Sequence, residues 1–498
     1  MHQCAYNFAV RIIYSLIPKT KKQFVIFMLF ISVLAFLVLY RYAGVASFWV
    51  DEIFTVGSIR NELSFSDFMN IYKYEESNAP LYFIFAFFWY RIVPHTEQAL
   101  LSLSIIFTLL AAVTTGLIGE KLSGIRIGIL SFIFMLFSRT NLAHAAYEFR
   151  AYSLLMLIAS VNIYFYLSRL QNENWVNIIL YGVTMTLLPY THYVSVLLCF
   201  GLFLADCVLI TRKHSGFRVI ASYFIGALLF LPWAVLFMLP RISGYSEFWP
   251  AVPTLMNFLD LSRWLTSSRS FFDFPFLAAL AGAIYVIYHV KNNKFLCSGL
   301  FASAFMIFTV FVYSRFINPK GSFFINRYFA ASMPFVSIIM AEGTYYLYTK
   351  LKNAFKGNKN ILIFAVILFA FCFINLLSIR HENAGHVQPY REVAELIYQN
   401  EQSFNGKSAI ITTDLPIYSD GWYEMYLTRD HIRKVPDYIR ASDRDALEQI
   451  KSANYDRIYL CYIHFALGHS ELMKLLKENY SSSINIKCYN FNILDRIK

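Results

Sequence analysis

The sequence predicts a polytopic α-helical membrane protein that ends in a small α/β domain. Of its 498 residues, 57% are hydrophobic and only 15% are charged, and the mean hydropathy is +0.48. A soluble globular chain of this length needs more polar surface than this composition supplies. Apolar stretches near the ~20 residues that cross a bilayer occur at about 24–43, 98–118, 125–145, 151–168, 176–190, 193–211, 218–239, 274–290, 295–313, 328–348 and 360–379.

The basic residues indicate how these predicted spans are oriented. The Lys and Arg residues behind the net charge of +12 cluster in short loops between apolar stretches, which is typical of cytoplasmic loops and gives no indication of a nucleic-acid partner. Such loops include Lys19 to Lys22, Arg212-Lys213, Lys291 to Lys294 and Lys350 to Lys359. This orientation places 44–80, 241–273, 314–327 and everything after Arg380 outside the cytoplasm.

The number of predicted spans is odd, 11 or 13. The loop that contains Glu120, Lys121 and Arg126 is also predicted to lie inside, because of its charge. If 98–118 is a full span, the short aromatic stretch 81–93 then has no room to cross. Either 81–93 is an interfacial or re-entrant helix, or one of the next two stretches is not a simple span.

The composition changes after Arg380, where no further spanning stretch occurs. The sequence therefore predicts a membrane domain over 1–380, with an outer loop at 44–80, and an extracytoplasmic domain over 381–498. Period and composition predict helices at 391–399, 443–452 and 471–478, and strands at 408–412, 457–462 and 484–489. This alternation is typical of a small α/β domain.

Two acidic pairs stand next to predicted spans at the outer face. Asp51-Glu52 follows the first span by about eight residues, and Glu75-Glu76 precedes the apolar stretch that begins at Ala79-Pro80. Because the lysines before the first span belong inside, both pairs emerge on the far side of the membrane. Carboxylates in this place suit chemistry on a molecule embedded in lipid.

Further ionisable residues interrupt the apolar stretches on the same side. Glu148 and Arg150 separate two predicted spans, His192 marks another outer turn, and Arg327-Tyr328 opens the stretch 328–348. An ionisable group near membrane depth is costly and is by default a functional hypothesis. The structural alternatives are an ion pair between Glu148 and Arg150 and a satisfied interfacial His192. Arg327 could bind phosphate, because a guanidinium offers planar, bidentate donors.

The order and spacing of these motifs resemble those of membrane glycosyltransferases of the GT-C fold. The matching motifs are Asp51-Glu52, Glu76-Ser-Asn78-Ala-Pro80-Leu81-Tyr82, Glu148-x-Arg150-x-Tyr152-Ser153-Leu154, Tyr190-Thr-His192-Tyr193, Leu231-Pro232-Trp233 and Arg327-Tyr328 with Pro334. The chain looks like the branch that includes the lipopolysaccharide galacturonosyltransferases. It is more distantly similar to protein O-mannosyltransferases and the aminoarabinose transferase of lipid A. The resemblance covers roughly residues 20–380, and an outer C-terminal domain is also usual in the group.

One motif departs from the family pattern. The second acidic motif is usually an Asp followed by His-Pro-Pro-Leu-Tyr, whereas here Glu76 is followed by Asn78, Ala79 and Pro80. The carboxylate is kept and a potential histidine ligand is lost, which puts a metal role at that position in doubt. Glu75 is a rival to Glu76 for the equivalent place.

The resemblance implies transfer of a sugar from a polyprenyl-phosphate-linked donor, with inversion, to a lipid, glycan or protein acceptor. It implies an integral protein of a bacterial inner membrane, surrounded by membrane lipids, with its active site on the extracytoplasmic face. Asp51 is then the candidate base. Glu76 and Glu148 orient the acceptor or, with Asp51, share a divalent cation; relatives differ on the metal, so the cofactor is left open. The residues expected to bind substrate are Glu52, Arg150, Tyr152, His192, Arg327 and Tyr328.

Two other functions remain open from the sequence. A transporter or flippase of lipid-linked saccharides would also have many spans with ionisable residues, but these would gather at the midplane between two matching halves. An O-antigen type polymerase shares the substrates and would not need the placement of Asp51-Glu52. Convergence of Asp51, Glu148 and Arg327 in one outward-facing cavity would favour the transferase.

Overall fold

The computed structural model describes residues 18–75, 78–209, 216–244, 250–354, 359–382, 390–412, 416–427, 436–440, 446–461, 470–486 and 491–496. Up to residue 382 the described chain is helical. The α-helices there are α1 Lys21–Tyr42, α2 Val50–Ile59, α3 Phe65–Asn70, α4 Leu81–Tyr90, α5 Glu97–Ser123, α6 Ile125–Leu136, α7 Tyr152–Gln171, α8 Trp175–Thr191, α9 Ser195–Leu209, α10 Gly216–Trp233, α11 Leu239–Gly244, α12 Leu255–Thr266, α13 Phe274–Tyr288, α14 Lys294–Val312, α15 Met333–Ala354 and α16 Lys359–Glu382.

The C-terminal region alternates helices and strands, as predicted. Its elements are α17 Tyr390–Gln402, β1 Ser408–Thr412, α18 Pro416–Trp422, β2 Asp437–Arg440, α19 Ala446–Ala453, β3 Arg457–Cys461, α20 Ser470–Asn479, β4 Tyr480–Ile486 and β5 Phe491–Arg496. The strands form one sheet of order β2-β1-β3-β5-β4, in which β1 runs parallel to β2 and β3, and β5 runs antiparallel to β3 and β4. Ile411, Ile458 and Leu460 from its central strands are buried with apolar residues of α19 and α20. The predicted small α/β region is therefore confirmed.

Among the described residues, each predicted apolar stretch lies largely in helical structure. Five helical segments are long and apolar enough to cross a membrane, and further apolar helices are shorter, among the described residues. The borderline stretch forms α4, whose ten residues reach only ~15 Å, about half of the ~30 Å hydrocarbon core. This length favours the interfacial or re-entrant interpretation of 81–93, while the total number of spans stays a prediction.

The described residues divide into two compact units. The helical unit comprises the residues up to Tyr42, Met69–Ile84 and Leu101–His381. The α/β unit comprises Ala43–Phe68, Phe85–Leu100 and the residues from Glu382 onward. It thus joins two segments from the first hundred residues to the C-terminal sheet, and the sequence did not predict this discontinuous grouping. The predicted domain boundary at residue 380 stays a prediction.

Glycines set the closest helix packing in the helical unit. A Cβ atom added to Gly282 of α13 would overlap the carbonyl oxygen of Ile339 in α15, and one added to Gly343 of α15 would overlap that of Ala278 in α13. Such small residues allow two backbones to touch, which is common between membrane helices. The contact fixes α15, whose N-terminal end continues from a 3₁₀ segment that contains a predicted site residue.

Candidate functional site

Glu148 and Arg150 lie on a bend that leads into α7. Both are only 7% exposed. The hydroxyl of Ser104 in α5 donates to the Glu148 carbonyl oxygen at 2.7 Å, and it lies 3.0 Å from the hydroxyl of Tyr82 in α4. The Tyr82 ring also packs edge-on against Phe149, with their centroids 5.9 Å apart. Two helices therefore hold the bend in place.

His192 follows the last residue of α8, and its backbone N–H closes that helix on the Leu188 carbonyl oxygen at 2.9 Å. Its ring centroid lies 4.5 Å from that of Tyr328 and 6.0 Å from that of Tyr152. The Nδ1 atom is buried and has no hydrogen-bond partner among the described residues. This imidazole is therefore packed between two tyrosines with one polar atom unsatisfied.

Arg327 and Tyr328 lie on the 3₁₀ segment Asn326–Ser332, just before α15 begins. Pro334 in the first turn of α15 suits this change, because the first turn of a helix is where proline costs least. The Arg327 guanidinium carbon lies 5.4 Å from the Tyr152 ring centroid, and the rings of Tyr152 and Tyr328 are 6.5 Å apart. Three predicted motifs, distant in sequence, therefore meet. We name Arg150, Tyr152, His192, Arg327 and Tyr328 the cationic cluster.

The charges of the cationic cluster act on His192. Burial, followed by the positive charges of Arg150 and Arg327, lowers the pKa of His192 to about 3. The imidazole is therefore neutral at physiological pH, and the positive charge belongs to the guanidinium groups. Two guanidinium groups beside a neutral imidazole supply hydrogen-bond donors and positive charge, which suit an anion such as a phosphate.

The second acidic motif ends beside the same cluster. The Arg150 guanidinium carbon lies 5.3 Å from the ring centroid of Phe83, which follows that motif. The Tyr193 hydroxyl donates to the Asn78 carbonyl oxygen at 3.5 Å and accepts from Trp233 Nε1 at 3.0 Å. The segment after Asn78 therefore belongs to this site, whereas Glu76 itself lies outside the described residues.

Asp51 and Glu52 lie in the α/β unit, in the first turn of α2. Glu52 is 3% exposed, and its Oε2 accepts from the Trp49 backbone N–H at 3.2 Å, which satisfies a free donor at the helix start. Asp51 is half-buried, and its backbone carbonyl accepts from the Thr55 hydroxyl at 2.9 Å. Because Asp51 belongs to the other unit, its convergence with Glu148 and Arg327 stays a prediction.

A divalent cation needs several oxygen or nitrogen ligands in one place. Across the described ranges, no three His, Cys, Asp or Glu side chains form a group that could hold a metal ion.

A second buried cluster of charge was missed in the sequence. Arg169 of α7 forms an ion pair with Asp206 of α9, and the two side chains are 1% and 0% exposed. Tyr166 and Tyr223 also donate to the Asp206 carboxylate, and Ser222 accepts from Arg169 Nη1 at 2.8 Å. The signal was present, because Asp206 is the one acid in the apolar stretch 193–211.

Comparisons with known proteins define the fold. No protein-family model matches the chain, and no curated protein sequence matches it. Its structure is similar to that of ArnT from Cupriavidus metallidurans in the apo state, with 11% sequence identity, a TM-score of 0.59, and coverage of 95% of this chain and 98% of that chain. It is also similar to ArnT from the same organism bound to undecaprenyl phosphate, with 10% identity, a TM-score of 0.57, and coverage of 96% and 99%.

These likenesses span nearly the whole of both chains. The protein is an integral membrane protein with the GT-C fold, the fold of a class of membrane glycosyltransferases, and this part of the sequence-based prediction is confirmed.

Proposed function

We propose that this protein is a glycosyltransferase that moves a sugar from a polyprenyl-phosphate-linked donor to an acceptor hydroxyl, with inversion, at the outer face of the membrane. The observation that carries the proposal is the cationic cluster within a GT-C fold. The rings of Tyr152 and Tyr328 pack against His192, Arg327 lies 5.4 Å from the Tyr152 ring, and the buried Arg150 adds a second guanidinium group. The similar ArnT structure was solved with undecaprenyl phosphate, a lipid whose anionic group such a cluster suits.

In the proposed reaction, the Asp51 carboxylate takes the proton of the acceptor hydroxyl. The acceptor oxygen attacks the anomeric carbon of the sugar, and the bond between that carbon and the phosphate oxygen breaks. The electron pair of this bond stays on the oxygen, so polyprenyl phosphate leaves with an additional negative charge. Arg150 and Arg327 stabilise that charge as it develops, in a site from which burial removes water.

The remaining predicted residues take supporting roles in this proposal. Tyr152 and Tyr328 give the lipid phosphate and its sugar an aromatic wall beside Arg327. Glu148, held on the bend before α7, and Glu76 orient the acceptor. Glu52 keeps the start of α2 closed, and so supports Asp51 through the backbone. The acceptor is a lipid, a glycan or a protein.

An assay in detergent micelles tests the class of activity. Purified protein is given a panel of polyprenyl-phosphate sugars, each labelled in the sugar, together with membrane extract as acceptor. A transferase releases free polyprenyl phosphate and labels an acceptor even though a micelle has no two compartments. A transporter has no product to form under these conditions, so a purified protein that binds the lipid and never cleaves it would contradict the proposal.

Asp51→Asn tests the base, because it removes the carboxylate at nearly constant volume. We expect transfer to fall at least ~10²-fold, the low end for loss of a general base, while expression and membrane insertion stay unchanged. Asp67→Asn is the matched control: Asp67 is an exposed acid in the first turn of α3. More than about a tenth of the activity in Asp51→Asn would remove Asp51 from this role.

The proposal also places the protein in the inner membrane of a bacterial cell, with its C-terminal segment outside the cytoplasm. An alkaline phosphatase reporter fused after Lys498 should be active. A green fluorescent protein fused at the same place should stay dark, because Sec export would carry it out of the cytoplasm. Bright fluorescence would reverse the orientation derived from the basic loops.

A further inference from the structure

We propose that the C-terminal α/β segment positions the helix that carries Asp51, and that Gly57, Arg60, Asp420 and Gly421 are positioning residues for transfer. This inference rests on the proposed function for the role of Asp51. It gives the C-terminal segment a part in the reaction itself, although the sequence of that segment carries no recognisable catalytic constellation of its own. All of the contacts that support it lie inside the α/β unit.

The first contact is a glycine crossing between α2 and α18. A Cβ atom on Gly57 would overlap the carbonyl oxygen of Ile417, and a Cβ atom on Gly421 would overlap that of Ile53. The two backbones therefore touch without an intervening side chain, and the crossing is fixed at that distance. Beside it, the Phe54 ring packs against Tyr418 with their centroids 5.5 Å apart.

The second contact is a chain of charges at the C-terminal end of α2. Arg60 directly follows the helix, and its guanidinium lies 3.1 Å from Asp420 of α18. Asp420 also lies 3.1 Å from Arg440, the last residue of β2. Arg60 in addition donates to the Gly57 carbonyl oxygen at 2.6 Å. One carboxylate therefore ties the end of α2 to the edge strand of the sheet.

The third contact holds the chain just before α2. The Phe48 backbone N–H donates to the Tyr426 hydroxyl at 2.9 Å. Arg391 of α17 donates to the carbonyl oxygens of Gly44 and Val45, each at 2.8 Å. Asp51 thus lies between two attachments to residues more than 300 positions later in the chain. The approach to α2 and its far end are both fixed by the C-terminal segment.

This arrangement matters because a general base works only within hydrogen-bond reach of its proton. A displacement of about 1 Å can cost ~10²-fold in rate without any change in the reacting groups. Loosening α2 should therefore lower kcat. It should leave KM for the lipid donor nearly unchanged, because the proposed phosphate partners Arg150 and Arg327 belong to the other unit.

The experiment compares Gly57→Ala and Arg60→Gln with the control Gly201→Ala in the full-length protein. The control also drives a methyl group into a facing backbone, because a Cβ atom on Gly201 of α9 would lie 2.8 Å from the Cα atom of Ala302 in α14. Neither α9 nor α14 carries a candidate site residue. Two quantities are measured for each: kcat and KM for the polyprenyl-phosphate sugar, and hydrogen exchange of the α2 backbone amides. Arg60→Lys is added because it keeps the charge.

We expect Gly57→Ala and Arg60→Gln to speed amide exchange in α2 and to lower kcat about tenfold or more, with KM within about twofold. Arg60→Lys should recover part of kcat, and Gly201→Ala should lower stability without changing kcat per folded molecule. Unchanged exchange in α2, or unchanged kcat in a variant whose α2 exchanges faster, overturns the inference. If Gly57→Ala does not fold, the result for Arg60→Gln decides whether the inference holds. If the wild-type protein has no transferase activity, the proposed function is wrong, while amide exchange in α2 still tests whether the C-terminal segment holds that helix.

Discussion

The helical unit contains two clusters of charge, and they are assembled in opposite ways. One lies on α7, α9 and α10, and the other lies where α7 begins, α8 ends and the 3₁₀ segment precedes α15. In the first, Arg169 pairs with Asp206, and Tyr166 and Tyr223 donate to the same carboxylate. In the second, the cationic cluster, the positive charges of Arg150 and Arg327 act together on one neutral imidazole. The first cluster pairs its arginine with an acid, and the composition of the second suits an anion.

The difference shows what separates a structural ion pair from a binding site among residues of the same types. The guanidinium of Arg169 is enclosed by the rings of Tyr166, Tyr181 and Tyr223, with centroid distances of 5.0, 4.5 and 5.5 Å. The Arg327 guanidinium, in contrast, lies near the Tyr152 ring and has His192 as a polar neighbour. The Nδ1 atom of His192 has no hydrogen-bond partner among the described residues. Burial alone therefore does not assign a role to an arginine of this helical unit.

The largest expected effect is on stability, at the first cluster. Asp206→Asn leaves Arg169 as an uncompensated buried charge, which costs about 3–5 kcal/mol. We expect a strong fall in folded protein, measured by fluorescence-detected size exclusion and thermal unfolding in detergent. Undecaprenyl phosphate should still bind to the fraction that folds.

A double variant separates the pair from the site. Arg169→Met with Asp206→Leu replaces the ion pair by apolar groups, which is often neutral or stabilising, so it should recover most of the loss. If the double variant folds and transfers no sugar, the Arg169–Asp206 cluster has a role in the reaction, and the contrast between the clusters fails.

The next effect is on binding, at the cationic cluster. Arg327→Gln removes charge-assisted hydrogen bonds worth about 1.5–3 kcal/mol, so undecaprenyl phosphate should bind roughly 10- to 100-fold more weakly with little change in stability. Arg327→Lys should recover only part, because an ammonium cannot reproduce a two-pronged contact. Native mass spectrometry or a scintillation assay measures the binding of undecaprenyl phosphate to both variants.

Arg218→Gln serves as the control, since Arg218 is an exposed arginine of α10 that donates to the Glu173 backbone carbonyl at 2.9 Å. Should Arg327→Gln lower thermal stability while lipid binding and activity per folded molecule stay at wild-type levels, Arg327 is a structural anchor and the phosphate site lies elsewhere.

Much of the fold was predictable because membrane helices follow local rules. Apolar stretches of spanning length predicted most helices of the first 380 residues, although α2, α3 and α12 lie in segments that were predicted only as outer loops. Alternation of helix and strand predicted the C-terminal sheet. The short strands β2 and β5 were missed, since Asp437–Arg440 has only four residues and Phe491–Arg496 is half polar. A strand of this kind is stabilised by its neighbours in the sheet, which the local sequence does not reveal.

The site was predictable in part for the same reason. Arg150, His192 and Arg327 stood out as ionisable residues at the ends of apolar stretches, and the structure brings them together around Tyr152 and Tyr328. The attachment of α2 to α18 was not visible, because it depends on Gly57 and Gly421, and a glycine in the sequence does not say which backbone approaches it. Contacts made by the absence of a side chain leave no local pattern.

The smallest expected effect is the pH dependence of stability, which reports the charge around His192. Its pKa is about 3 in the folded protein against an ordinary value of 6.5, so the unfolded chain binds one more proton between these values. Folding stability should therefore fall as pH drops below about 6.5, by at most ~1.4 kcal/mol per pH unit. His192→Gln should remove this share of the slope in thermal unfolding between pH 7.5 and 5.5. Saturating undecaprenyl phosphate should reduce it in the wild type, because a bound anion offsets Arg150 and Arg327 and raises the pKa of His192. A slope that the lipid leaves unchanged would separate His192 from the anion site.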